Sequence, residues 1–216
     1  MTRGRLVTVE GGEGAGKSTQ CAHLARSLAR AGIEAITTRE PGGAPGAEAI
    51  RALLVDGALD RWDPTAEALL HFAARREHLI RTVWPALATG KWVVCDRFAD
   101  STMAYQGCAM GVGRETVEAL YRVAVGDFAP DLTLILDVPV AVGLARAAAR
   151  AGPPQRYERM DNAFHERLRK AFLDIARRAP DRCVMIDASL PEDAVARQAF
   201  AVVRDRLGIE VPDGGH

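Results

Sequence analysis

The sequence predicts an α/β fold: a doubly wound, five-stranded parallel sheet with helices on both faces. Three observations carry that expectation. Residues Gly11-Gly12-Glu13-Gly14-Ala15-Gly16-Lys17-Ser18 fit the phosphate-loop pattern G-x-x-x-x-G-K-[ST] at every fixed position, between an apolar run and a helical pattern. Five short apolar runs alternate with longer stretches of helical spacing. The chain has 216 residues, 48% of them hydrophobic, enough for one well-buried core.

The elements follow in order. The first strand is Leu6–Val9, a β-branched run that leads into the loop. The helix after it spans about Ser18 to Ala31, with Gly32 placed to cap its end. A second strand, Ile33–Thr37, precedes a helix from Pro45 to Val55. A long helix then covers Thr65 to Thr89, with Leu69, Leu70, Phe72, Leu79, Val83 and Leu87 at core spacing and Gly90 after it. Strand three is Trp92–Cys95, followed by a loop through Gly107 and a helix from Arg114 to Val125. Strand four, Leu132–Leu136, leads to a helix from Pro139 to Arg150, then one from Asn162 to Arg178. Strand five, Val184–Ile186, leads to the last helix, Pro191–Leu207. These elements make one domain over residues 1–208, with a disordered tail expected at 209–216.

Ligands on such sheets bind beyond the carboxyl ends of the strands. Charged or polar residues follow four of the five: Thr38-Arg39-Glu40, Asp96-Arg97, Asp137 and Asp187. Charge at the end of a buried strand is costly unless it is paired or used. In the phosphate loop, glycines turn backbone N–H groups inward, Lys17 adds charge, and Ser18 offers a hydroxyl to Mg²⁺.

Formal net charge is zero, from 28 basic and 28 acidic residues, which argues against a general nucleic-acid-binding surface. No 18-residue apolar run or signal-peptide pattern is present, so no membrane partner and a cytoplasmic location are expected. Cys21, Cys95, Cys108 and Cys183 are widely spaced and read as reduced core thiols. No guanine-reading N-K-x-D segment accompanies the phosphate loop, which disfavours a GTP switch.

Several segments together resemble the bacterial thymidylate kinases, a family of P-loop nucleoside-monophosphate kinases. They are Val9–Thr19, Thr38–Gly43, Phe72–Arg75, Asp96–Phe98, Ser101–Gly107, Pro130–Asp137 and Gln155–Glu158. The combination of Thr38-Arg39-Glu40-Pro41-Gly42-Gly43 with Ala104-Tyr105-Gln106-Gly107 is more specific than the phosphate loop alone. The resemblance implies ATP-dependent phosphorylation of dTMP to dTDP in dTTP synthesis, with Mg²⁺, by a homodimer with a short helical lid at about 146–160.

It also implies roles for single residues. Gly11 to Thr19 would bind ATP, including Gly11, Gly12, Glu13, Gly14, Ala15, Gly16, Lys17, Ser18 and Thr19. Ser18 and Asp96 would serve the metal. Arg97 would hold the dTMP phosphate with help from Arg39, and Glu13 would face the sugar 3′-hydroxyl. Arg75 and Thr102 would read the base, and Tyr105 would crowd a 2′-hydroxyl. The family's aromatic stacking position falls on His71, with Phe72 beside it, and either could stack. Gly14 stands where some relatives carry arginine, so a catalytic cation is expected from the lid: Arg146, Arg150 or Arg156, with Arg150 and Arg156 leading. Lys17 and Arg97 complete the expected catalytic set.

Overall fold

The computed structural model describes residues 3–150 and 156–210. Five parallel strands form one sheet: β1 Leu6–Gly11, β2 Ala35–Arg39, β3 Trp92–Asp96, β4 Leu132–Asp137 and β5 Cys183–Asp187, in the order β2-β3-β1-β4-β5. β1 lies at the centre, with Val9 in register with Asp96 on one side and Leu134 on the other. This brings the phosphate loop and the loops after β3 and β4 to one edge.

Successive strand residues serve opposite cores, as the period of two requires. Leu6, Val93, Cys95 and Ile135 join one cluster, with Phe72, Leu79, Phe164 and Phe172. Val7, Val9, Val94, Leu134 and Leu136 join the other, with Leu24, Leu28, Val195 and Val203. The second face is covered by α1 Lys17–Arg30 and α9 Glu192–Leu207. The first is covered by α3 Pro64–His78, α6 Arg114–Ala124 and α8 Asn162–Arg178. The remaining helices are α2 Pro45–Val55, α4 Trp84–Ala88, α5 Ala99–Thr102 and α7 Val140–Ala148.

The structure corrects five details. The expected helix from Thr65 to Thr89 is α3, a π-helical segment Leu79–Val83, and α4. Pro85 lacks an N–H and its ring crowds the carbonyl four residues back; the chain widens, and Trp84 N–H bonds to the Leu79 carbonyl. β2 begins two residues later than Ile33, because Ile33 N–H closes α1 onto the Leu28 carbonyl. The loop expected through Gly107 is helical: α5 runs into a buried π-helical segment, Met103–Ala109. Ile209, expected in the tail, packs into the second core cluster; residues 211–216 lie outside the described residues. Cys21, Cys95 and Cys183 are buried free thiols, but Cys108 is exposed.

Candidate active site

One cleft of about 540 Å³ runs along the carboxyl edge of the sheet, lined by Glu13–Gln20, the ends of β2 and β3, α3, the segment after α5, and the loop after β5. That volume is ordinary for a small-molecule site. At its centre the phosphate loop joins β1 to α1, with Gly16 at the helix N-terminus in a left-handed conformation, φ 84°. Gly14 has a packing reason besides its φ of 65°: a Cβ there would lie 1.8 Å from the Gly143 carbonyl oxygen. The loop thus sits directly on α7, and no arginine fits at this position.

Lys17 donates to the Gly12 carbonyl at 2.6 Å. Burial, then the Arg97 charge, pulls its ammonium pKa down to about 8, partly offset by Glu13 and Asp96. Ser18 Oγ donates to Asp96 Oδ2 at 2.5 Å. Gly11 and Gly12, expected among the ATP contacts, do not line this cleft. Gly12 lines a small cavity behind the loop, and the Gly11 carbonyl accepts from Arg97 at 3.0 Å.

Arg97 is the one non-glycine residue with positive φ, at 71°, among the described residues. Such a backbone costs about 1–3 kcal/mol and persists where its surroundings over-determine it. Here its N–H bonds the Val9 carbonyl, Nη1 donates to Ser101 Oγ at 3.1 Å, and Nη2 donates to Glu13 Oε1 at 3.1 Å. Tyr105 donates to the same Glu13 oxygen at 2.6 Å. Burial works against the Glu13 charge, but Arg97 and Lys17 outweigh it and bring the carboxyl down to about 2. Glu13 is therefore an ionised acceptor that the phosphate loop presents to Arg97 and Tyr105. Behind this group Glu10 accepts from Phe98 N, Ser101 N and Ser101 Oγ, fixing the turn after β3.

The far wall is built on α3. Arg75 is 2% exposed; its Nε donates to Glu40 Oε2 at 2.7 Å and its Nη2 to Thr102 Oγ1 at 3.1 Å. The other Glu40 oxygen meets His78 Nδ1 at 2.9 Å, and His78 Nε2 meets Thr38 Oγ1 at 2.7 Å. So the end of β2 orients the arginine of α3. Arg75 Nη1 and Gln106 Oε1 are buried without a hydrogen-bond partner among the described residues, and both residues line the cleft. His71 lines the cleft and Phe72 does not: Phe72 is 3% exposed in the core, edge-on to Tyr121. The helix turns one of these two neighbours toward the cleft and the other inward, which removes Phe72 from the expected contacts. Burial, then the nearby arginines, takes His71 down to about 3, so its ring is neutral.

At the other end, Ala188, Leu190, Pro191 and Val195 form an apolar wall. Arg146 Nη1 donates to the Ala188 carbonyl at 2.7 Å, and Arg150, at the end of α7, lines the cleft and pairs with Glu158. Arg156 is corrected. It is 2% exposed, does not line the cleft, and is spent on Glu67 and on the Ala58 and Leu59 carbonyls. Gly152-Pro153-Pro154 and Gln155 lie outside the described residues. Two strand-end acids also leave the site. Asp137 forms a double hydrogen bond with Arg169, and Asp187 accepts from Ser189 in a local turn. Arg39 lines the cleft but pairs with Glu48.

Sequence reasoning gave no role to Glu40, Arg51, Gln106 or Tyr157, all of which line the cleft. Glu40 and Gln106 lay inside quoted motifs, where their types alone did not show which way they turn. Tyr157 lay in the quoted Gln155–Glu158 segment without a role of its own, and Arg51 carried no spacing signal.

This sheet order, with a phosphate loop after β1 and an arginine after β3 meeting in one cleft, defines a P-loop phosphoryl-transfer enzyme of the nucleotide-kinase kind. A family model described as thymidylate kinase matches residues 9–199, and the chain belongs to that family. It is 56% identical to a thymidylate kinase of Caulobacter vibrioides over 209 residues, covering 97% of this chain and 100% of the relative. It is 52% identical to one of Nitrobacter hamburgensis, covering 96% and 91%, and 53% identical to one of a Bradyrhizobium species, covering 95% and 92%.

Proposed function

We propose that this protein transfers the terminal phosphoryl group of ATP to dTMP, giving ADP and dTDP. One observation carries the acceptor side. Arg75 offers a buried unpartnered donor and Gln106 a buried unpartnered acceptor, in the cleft that also holds the phosphate loop. Thymine presents an imide N–H between two carbonyls, so both orphaned atoms gain partners on its edge. The neutral ring of His71 on the same wall suits stacking better than a charged one would.

Each remaining residue has one task in this reading. The loop amides and Lys17 hold the donor phosphates. Arg97 holds the acceptor phosphate with a bidentate fork, Arg39 assists at the rim, and ionised Glu13 accepts from the sugar 3′-hydroxyl. Tyr105 fills the space where a ribose 2′-hydroxyl would project. The adjacent hydroxyl and carboxylate of Ser18 and Asp96 suit Mg²⁺, a hard cation that takes few protein ligands. Ser18 and Asp96 would hold the ion, which would there neutralise phosphate charge. The acceptor oxygen is already anionic, so no strong general base is required; catalysis rests on alignment and charge stabilisation. Arg150 supplies the cation for the transferring group: it lines the cleft and stays half-exposed beside Glu158, whereas Gly14 offers no charge, Arg146 holds the Ala188 carbonyl and Arg156 is buried against Glu67.

The same reading takes the chain through Ile209 as one kinase domain, the stretch around 146–160 as its lid, and a homodimer as the working unit. A cytoplasmic setting fits four unpaired cysteines; no helix among the described residues is long and apolar enough to cross a membrane. An ADP-release assay with dTMP, dUMP, dCMP, dGMP and thymidine as acceptors tests the function. Turnover should be greatest with dTMP, and equal or higher turnover with dCMP or thymidine would overturn the assignment.

A further inference from the structure

Glu67 lies on α3, fully buried, and does not itself line the cleft. Both of its oxygens are nonetheless hydrogen-bonded. One oxygen accepts from Gln106 Nε2 at 2.8 Å and from the Tyr157 hydroxyl at 2.8 Å; the other pairs with Arg156 Nη1. Tyr157 has spent its only O–H on Glu67, so its oxygen accepts from His71 Nε2 at 3.1 Å. Arg156 in turn holds the Ala58 and Leu59 carbonyls, its N–H reaches the Val55 carbonyl, and Arg159 holds the Gly57 carbonyl.

We propose that Glu67 is a positioning residue: it clasps the segment returning from α7 to the acceptor-side helices, so that Tyr157, His71 and Gln106 are set for the acceptor by one buried charge. The inference rests on the dTMP reading for the identity of the acceptor, and it extends that reading to a residue outside the cleft. The physics favours a clasp over an incidental ion pair. A lone buried carboxylate is strongly disfavoured, and this one is satisfied only while four elements meet: α3, the π-helical segment after α5, the 156–159 turn, and, through Arg156, the loop after α2. Loss of any partner leaves the rest mispaired. The carboxylate also fixes the Gln106 amide with its nitrogen inward, which leaves Oε1 for the acceptor.

The test uses Glu67→Gln, Tyr157→Phe and the double variant Glu67→Gln/Arg156→Gln, each in the full chain well below its melting temperature. Glu67→Gln should raise the KM for dTMP about tenfold or more, the loss of roughly one charge-assisted contact, while the KM for ATP stays within about twofold. Tyr157→Phe should move the dTMP KM in the same direction with a smaller drop in Tm. The double variant removes the unpaired charge, so it should regain Tm over Glu67→Gln while keeping the dTMP defect. Amide exchange at residues 55–60 and 156–160 should quicken in Glu67→Gln whatever the acceptor. Wild-type dTMP kinetics and exchange in Glu67→Gln would overturn the clasp, as would recovery of the dTMP KM together with Tm in the double variant. If the wild type itself ignores dTMP, the acceptor assignment fails separately, and amide exchange still decides the clasp.

Discussion

In the proposed reading Lys17 holds the donor phosphates, so its protonation bears on donor binding. Burial and Arg97 place its pKa near 8 in the ligand-free protein. The ammonium is complete below that pH and is lost as pH rises through it. We therefore expect kcat/KM for ATP to be flat from about pH 6 to 7.5 and to fall about tenfold per unit well above 8. Lys17→Arg, which keeps its charge, should lack this alkaline limb even at a lower plateau; a pH profile of both proteins checks it. Lys17→Ala should lose about 10²-fold in kcat or more, near 3 kcal/mol of preorganised charge contact. Tyr105 needs a gentler probe than truncation. Its ring is 4% exposed and packs on Tyr157, Phe164 and Phe172, so alanine would cost about 3–5 kcal/mol in cavity alone. Tyr105→Phe keeps the ring and removes the donor to Glu13; kcat/KM for dTMP should fall about tenfold with ATP KM unchanged. An unaltered dTMP value would take the hydroxyl out of acceptor orientation. Glu13, Arg75 and Arg97 were legible as residues because motifs fix them in sequence. Phe72 and Arg156 were misread because only packing decides between adjacent helix positions, or between a free arginine and a buried one.

At the scale of elements, strands and long helices were legible because their signal is local. The buried runs of β1, β3 and β4 are continuous, as strands covered on both faces must be. The two π-helical segments were not legible. One answers to Pro85; the other turns Met103–Ala109 into a buried coil of helix whose polar residues looked like a loop. That second segment places Tyr105 and Gln106 at the cleft, in keeping with the frequent use of π geometry at functional sites. The end of α7 separates two arginines that sequence treated alike. Arg150 is a surface cation at the cleft, so Arg150→Ala should lower kcat and kcat/KM together by about 10²-fold or more, with little change in Tm or nucleotide Kd. Arg156→Ala should instead strip the partner from buried Glu67 and cost about 3–5 kcal/mol of stability. Single-turnover kinetics beside urea melts distinguish the two. A wild-type chemical rate in Arg150→Ala would return the search for the cation to Arg39 and Arg97, which also line the cleft.

At the scale of the whole molecule, the sheet order explains why a neutral chain can still gather charge where it is needed. Crossovers carry every loop that follows a strand to one edge, so Lys17 and Arg97 come together there, with Arg150 reaching the same cleft from beyond α7, although the totals of acid and base are equal. Not every strand-end acid is used there: Asp137 and Asp187 are paired instead, with Arg169 and Ser189. Several large apolar side chains among the described residues are exposed, and two of them lie on a pair of packed helices. α3 packs against α6, and Leu69 on the first and Val123 on the second are 51% and 85% exposed. A valine left that open on a helix whose other face is in the core gains most from a second copy of the same surface, the common twofold solution. A stable dimer of this kind buries about 800 Å² per partner, and an aspartate at its centre would be desolvated without a partner. Leu69→Asp/Val123→Asp should therefore convert a dimer into a monomer in light scattering while far-ultraviolet circular dichroism stays the same. A wild-type chain that already scatters as a monomer at micromolar concentration would sink the dimer and leave these two side chains as ordinary surface apolar residues.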